Sequence, residues 1–403
     1  MESGSIMNRR RVVITGMGVL CANGVNVAEF HKALSEGRSG IKEATLFDTS
    51  AYSFRGLGEI QNFAWPDASL DRASQLALAA AAEAVEDAGI HSVNRDRGRI
   101  GVVIGTTCGG VTSHERLVRA STDGRDADAV LLDEVSLHVM AKHIADRYEL
   151  QGPVATIAIA CASGANAVGY AADLIRCGQC DMMLAGGSDT VSNFTYSGFS
   201  SLRAMTQDLC RPFDRDRSGL VLGEGSGILV LEEAEHAKRR GARIYAEVLG
   251  YGFCNDGYHS TAPDPKGGGM ARSIRRALQM AGMRAEDIDY VNAHGTGTRH
   301  NDVMECNAYR AVFNDRAKEI PISSTKSMIG HTLGAAGAIE LIAAVVGLWH
   351  GFMPPTINHL TTDPECGLDV IPNQARTKRL RYVMSCNAGF AGNNAAVIAG
   401  KFG

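Results

Sequence analysis

Cys161 follows an apolar run, Val154–Ala160, that reads as a buried strand. It opens a stretch of small residues, Cys161-Ala-Ser-Gly-Ala165, that reads as a helix start. A thiol on that elbow meets the unpaired N–H groups of the first helical turn, and the macrodipole there favours a thiolate. The same N–H groups suit an oxyanion developing on a thioester. A buried structural cysteine fits the position too. The Gly- and Ala-rich flank clears room for a substrate and brings the two readings level. His294 lies in Asn292-Ala-His-Gly-Thr-Gly-Thr298, just past a strand end, where open α/β sheets collect ligands. Thr296 and Thr298 add hydroxyls for a polar ligand. His331 heads His331-Thr-Leu-Gly-Ala335, which opens a helix through Leu348. Lys326 precedes His331 by five residues; an ion pair between Lys326 and Glu305 would fix both His-bearing loops, and a solvated surface lysine is the other reading. Gly389-Phe-Ala-Gly392 reads as a loop, either a gate or a turn with a packed Phe.

The elements that must carry these groups occur twice. Arg11–Gly16 and Ile100–Gly105 read as strands, with a helix over Ser74–Gly89 between them. Arg272–Gly282 reads as a helix, followed by a strand at Ile288–Ala293. The Cys161 and His331 helix starts share an x-x-x-Gly-Ala pattern 170 residues apart, and each is followed by an apolar strand, Asp181–Ala185 and Tyr382–Ser385. This predicts two similar α/β halves sharing one core, residues 8–240 and 241–403, with the seam near Glu232–Arg243. If a pseudo-twofold axis relates them, the two helix starts converge and Cys161 meets His331.

Composition excludes several classes. The 403 residues carry 40 Lys+Arg against 44 Asp+Glu, so no basic excess points to nucleic acid. Apolar residues at 45% supply a core and exclude disorder. Ten Cys is below the density of a disulfide scaffold, and the polar, basic Met1–Arg11 has no apolar signal region, so reduced thiols in the cytoplasm are expected. The longest apolar stretch, Gly337–Trp349, is interrupted by Glu340 and is too short to span a membrane. Met1–Ile6 reads as an extra leader. Cys177-Gly-Gln-Cys180 lacks the partner pair of a zinc or redox site, no metal site is expected, and Gly16-x-Gly18 lacks the third Gly of a dinucleotide fingerprint.

Taken in order, these residues resemble the β-ketoacyl-acyl-carrier-protein synthases, in particular the elongating type II ketosynthases of the thiolase-like superfamily. The carriers are Ala160-Cys-Ala-Ser-Gly164, Arg211-Pro-Phe-Asp214 with Gly223-Glu-Gly-Ser-Gly227, Asn292–Thr298, Ser323-Ser-Thr-Lys-Ser-Met-Ile-Gly-His331 and Gly389–Gly392, from Arg11 to the C-terminus. The resemblance implies a five-layer αβαβα fold, a homodimer or heterodimer, and an acyltransferase that needs no bound cofactor beyond the phosphopantetheine arm of an acyl carrier protein. It implies that Cys161 takes an acyl chain as a thioester. His294 and His331 bind malonyl thioester and stabilise the enolate formed on decarboxylation. The N–H groups of Cys161 and Phe390 make the oxyanion hole, and Phe390 gates the acyl tunnel. Thr296 and Thr298 contact the arm. Lys326 and Glu305 orient the histidines. Thr107 and Cys108 stand where Gly-Ile usually narrows the tunnel, Ala388 where another Phe is usual, and Asn393 where Thr is usual. Arg299-His-Asn-Asp302 is closer to the ketosynthases of aromatic and polyene pathways. Arg203 matches one carrier-docking Arg, and Arg72 is the basic residue left near the first long helix. The competing readings are a non-catalytic partner that shapes the chain-length cavity of a heterodimer, and a thiolase or starter-type synthase using coenzyme A.

Overall fold

The computed structural model describes residues 10–90, 96–126 and 128–403; the leader-like Met1–Ile6 and the expected start of the first half at residue 8 lie outside the described residues. Ten strands form one mixed sheet: β1 (Val12–Cys21), β2 (Ile100–Gly105), β3 (Val154–Ile157), β4 (Met182–Asp189), β5 (Gly225–Glu233), β6 (Ala246–Asn255), β7 (Tyr290–Asn292), β8 (Ile322–Ser323), β9 (Tyr382–Gly389) and β10 (Asn393–Gly400). Their spatial order is β8-β7-β9-β10-β6-β1-β5-β4-β2-β3. The first five strands follow the order 3-2-4-5-1 from the outer edge inward, and the second five repeat it. The halves join where β1 and β6 pair antiparallel, Val13 opposite Glu247 and Ile14 opposite Ala246.

The helices of the remaining layers include α1 (Arg72–Asp87), α2 (Ser163–Arg176), α3 (Gly268–Ala281), α4 (Arg299–Phe313) and α5 (Ala336–His350). The central core holds Ala165, Val168 and Ile175 of α2 against Ile339, Ile342 and Val346 of α5, with Leu229 and Val397 from the two half-sheets. One outer core packs Leu76, Ala80 and Ala84 of α1 on Val102 and Leu184. The other packs Ile274 and Ala277 of α3 and Met304 of α4 on Val291 and Ile398. This is the αβαβα layering of a thiolase-like fold. The apolar segment Leu333–His350 is long enough to cross a membrane, yet 89% of it is buried in the protein, as the middle-layer helix.

β1 runs on to Cys21 rather than ending at Gly16. Its glycines admit α1 at close range: a Cβ at Gly16 would lie 2.4 Å from the Ala84 carbonyl oxygen, and one at Gly18 would lie 2.0 Å from that of Ala80. The second half repeats this with Gly250 against Ala277 and Gly252 against Ser273. The segment Glu232–Arg243 is the end of β5 and a short helix, Ala234–Arg239.

The halves are related, but not in the register expected from sequence. α2 begins at Ser163 and α5 at Ala336, 173 residues apart. At the same separation, Ala160 and Leu333 both take a left-handed backbone, φ 53° and 51°. The helix starts also touch reciprocally. A Cβ at Gly164 would meet Ala338 N at 3.0 Å, and one at Gly337 would meet Ala165 N at 2.5 Å. The counterpart of Cys161 is therefore Gly334, not His331. His331 belongs to a longer second-half loop, through the helical turn Lys326–Ile329 and a 3-10 turn Leu333–Ala335, that has no first-half equivalent.

Candidate active site

Cys161 sits between β3 and α2, as the strand-then-small-residue pattern predicts. The Ser163 hydroxyl closes this elbow: it accepts from Ile159 N (2.9 Å) and lies 2.6 Å from the Ala160 oxygen and 3.0 Å from the Thr106 oxygen. The thiol is buried, and burial pushes its pKa up to about 12. The Lys326 ammonium pulls it down, while the Asp189 and Glu340 carboxylates add to the rise. The helix start favours a thiolate, and burial opposes it and carries the pKa upward.

His294 leaves the end of β7, with its backbone N–H and that of Gly295 held by Glu305 at 2.8 and 2.6 Å. The His331 backbone is pinned to a neighbouring segment, its N–H donating to Val221 O (2.7 Å) and its carbonyl accepting from Gly223 N (2.9 Å). The two imidazoles meet edge to face, ring centres 5.1 Å apart at 84°. Both are pushed well below the ordinary imidazole pKa, chiefly by burial and then by the Lys326 charge. Lys326 Nζ lies 3.2 Å from His294 Nδ1, and Leu333 N–H donates to His331 Nδ1 at 3.2 Å. An ammonium and an amide N–H can only donate, so both Nδ1 atoms accept. That leaves the proton on Nε2 of two neutral rings.

The expected Lys326–Glu305 ion pair does not form. Lys326 pairs with Glu340, and its Nζ also donates to the His294 carbonyl at 2.7 Å. The second Glu340 oxygen accepts from Asn387 Nδ2 at 2.6 Å. Glu305 instead collects four donors: the two backbone N–H groups above, Asn301 Nδ2 (2.9 Å) and Tyr309 Oη (2.8 Å). Glu305 thus holds the His294 loop, while Glu340 holds the lysine. Burial lifts both carboxyls to about 7. Glu340 had a sequence signal, since a lone carboxylate inside the most apolar helix needs a buried cation. Asn387 had none.

One cavity of about 600 Å³ is lined by Cys161, His294, His331, Thr296, Thr298 and Phe390 together. The Thr296 and Thr298 hydroxyls lie 2.8 Å apart on its wall. Phe390 is half-buried and stacks on Phe199, ring centres 5.5 Å apart, in a turn where Ala391 takes φ 58°. The departure residue Ala388 also lines the cavity, and so does Arg203, whose exposed side chain stands at its mouth. Thr107 and Cys108 do not line it. Their N–H groups donate to Asp189, and Cys108 packs against an apolar cluster that includes Leu220, Leu222 and Leu333. Arg72 is not a free docking cation: it makes two 2.7 Å contacts to the fully buried Glu224 and a third bond, 2.9 Å, to the Ile60 carbonyl.

A thiol, two neutral imidazole donors and a hydroxyl-lined channel at the seam of a duplicated α/β fold define a thiolase-like acyl-transfer enzyme. The comparisons with known proteins agree. The model of the β-ketoacyl synthase N-terminal domain matches residues 9–237, and that of the C-terminal domain matches residues 245–360. The tetracenomycin polyketide synthase ketoacyl synthase alpha subunit of Streptomyces glaucescens is 40% identical over 97% of this chain and 97% of its own. The 3-oxoacyl-[acyl-carrier-protein] synthase 2 of Staphylococcus aureus (strain N315) is 38% identical over 98% of this chain and 99% of its own. Among solved structures, the ishigamide ketosynthase/chain length factor superposes with a TM-score of 0.94 at 42% identity, over 98% of this chain and 100% of that one. A type II polyketide acyl-carrier protein in complex with its ketosynthase gives 0.93 at 34%, with the same coverage. The chain belongs to the β-ketoacyl synthase family. It is an acyltransferase of the ketosynthase class.

Proposed function

We propose that the chain extends an acyl group by two carbons in fatty-acid or type II polyketide and polyene assembly, with Cys161, His294 and His331 as its catalytic residues. Cys161 Sγ attacks the carbonyl of an acyl chain carried on phosphopantetheine. The carrier thiol leaves and takes up the proton that Cys161 gives up. Malonyl thioester then enters the same cavity. The two Nε2–H groups donate to its thioester oxygen, which becomes an enolate oxygen as carbon dioxide departs. The enolate carbon attacks the acyl-Cys161 carbonyl, and Sγ leaves as the carbon–carbon bond forms. The N–H groups of Cys161 and Phe390 receive the transient oxyanion. Phe390 gates acyl entry, and Thr296 and Thr298 hold the phosphopantetheine arm.

The observation that carries this reading is that both imidazoles spend Nδ1 on fixed donors and so present Nε2–H to the cavity that holds the thiol. Acyl carrier protein is the proposed partner, with Arg203 at the mouth as a docking cation. A second ketosynthase-like subunit, identical or not, completes a dimer in the cytoplasm. Residues 8–240 and 241–403 supply the thiol and the histidines respectively. A non-catalytic, chain-length-setting role is disfavoured by the complete thiol and imidazole set. The deciding experiment incubates the protein with malonyl-carrier and a ladder of acyl-carriers, alone and with candidate partner subunits, and reads product length by mass. Products two carbons longer support the reading; carrier species unchanged in mass with every partner refute it.

A further inference from the structure

The buried carboxylate of Asp189, at the end of β4, lies outside the roles given above. It is fully buried and accepts four bonds: Thr106 Oγ1 (2.7 Å) and Cys108 N (3.0 Å) on Oδ1, and Thr107 N (2.7 Å) and Gly334 N (2.6 Å) on Oδ2. Burial raises the pKa of this carboxyl, and the four bonds oppose that rise by favouring its charged form. Gly334 is the second-half counterpart of Cys161. The place that Asp189 holds beside Gly334 falls to Gly389 beside Cys161: a Cβ at Gly389 would lie 3.1 Å from Cys161 N. In one half the N–H of the elbow faces a residue without a side chain and is left to a substrate oxyanion. In the other, the equivalent N–H is capped by a carboxylate.

That cap has a consequence for catalysis. Gly334 follows Leu333, whose N–H fixes His331 Nδ1 and so the direction of Nε2. Leu333 holds a left-handed backbone at φ 51°, which a non-glycine residue keeps only when its surroundings enforce it. The other two backbone donors, Thr107 and Cys108, belong to the loop after β2, whose Thr106 carbonyl meets Ser163 of the Cys161 elbow. We infer that Asp189 is a positioning residue that locks the Leu333–Gly334 turn and thereby aims His331 at the malonyl thioester, tying that turn to the loop beneath Cys161. This rests on the ketosynthase reading.

Two readouts move in opposite directions if it holds. The charged groups facing the Cys161 thiol are Lys326, which favours thiolate, and Asp189 and Glu340, which oppose it. Asp189→Asn removes one opposing charge and places an amide donor among N–H donors. Alkylation of Cys161 by iodoacetamide should then shift to lower pH. Decarboxylation of malonyl-carrier, counted per alkylatable Cys161, should fall about tenfold in kcat with KM within about threefold, as expected for a misaimed group. Should that variant not accumulate folded, Asp189→Ser, small enough to admit water to the vacated donors, is read the same way. A fall in kcat together with the alkaline-to-neutral alkylation shift supports the proposal. An unchanged kcat per reactive thiol, or losses that only track the folded fraction, overturns it. Absence of decarboxylation in the unaltered protein would instead refute the ketosynthase reading itself.

Discussion

Cys161 and Gly334 occupy the same position in the two halves of the molecule, each one residue past a left-handed turn and two residues before a middle-layer helix. One carries the thiol and the other carries no side chain. The duplicated fold thus provides two strained elbows at the seam, and only one is armed. The two histidines enter from elsewhere: His294 from the end of β7, whose first-half equivalent β2 leads into Thr107 and Cys108, and His331 from the longer second-half loop. Asymmetry grafted onto a symmetric frame makes one site rather than two.

His331→Ala should reduce malonyl-carrier decarboxylation by about 10²-fold, the scale of a lost oxyanion donor, while acyl loading of Cys161 falls much less. Comparing carbon dioxide release with acyl-adduct formation checks this. Equal losses in both would mean that His331 is only structural.

Lys326→Met leaves Glu340 buried without its cation and should cost about 3 kcal/mol of stability, read by urea denaturation. The sign for His294 is also fixed. Burial chiefly, and Lys326 next, hold that imidazole below its ordinary pKa, so removing the charge raises it part of the way. The acid limb of the decarboxylation profile, where His294 becomes protonated and Nδ1 stops accepting, should move to higher pH in the variant.

The Cys161 thiol is held up near 12, so it is protonated at neutral pH in the free enzyme. Its alkylation rate should climb with pH through 8 to 10, about tenfold per unit, instead of reaching a plateau near neutrality as a thiolate-forming elbow would. Iodoacetamide trapping followed by peptide mass spectrometry measures it.

How far the sequence reached can be seen in particular residues. The repeated strand and helix pattern carried the two-half architecture, because burial on both faces writes itself as apolar runs. The Cys161, His294 and His331 positions stood out because small, Gly-containing segments flank them, His294 past a strand end and Cys161 and His331 before helices. The register between halves was misread by three residues. The shared x-x-x-Gly-Ala spelling begins at His331, while the structural equivalence is set by the left-handed residues Ala160 and Leu333, and φ is not spelled in side chains. The partner of Lys326 was missed for a related reason: Glu305 is near the histidine in sequence, but Glu340 reaches the lysine only once α5 is packed. Asp189 was invisible, since its four bonds come from segments 82 residues before and 145 after it.

Arg72 and Arg203 separate structure from docking. Arg72→Ala should cost about 3 kcal/mol by stranding the buried Glu224. Arg203→Ala should leave stability within about 0.5 kcal/mol, as for an exposed residue. It should raise KM for the acyl carrier and reduce the salt dependence of that KM. A KM unaffected by Arg203→Ala would remove it from the docking surface.

The central claim is that Cys161 is the acyl-accepting nucleophile, and intact-protein mass spectrometry after incubation with an acyl-carrier thioester tests it most directly. The account predicts one acyl adduct, mapped to Cys161, lost in Cys161→Ala while malonyl-carrier decarboxylation persists in that variant. An adduct on Cys108 or Cys254, or one retained by Cys161→Ala, would contradict it.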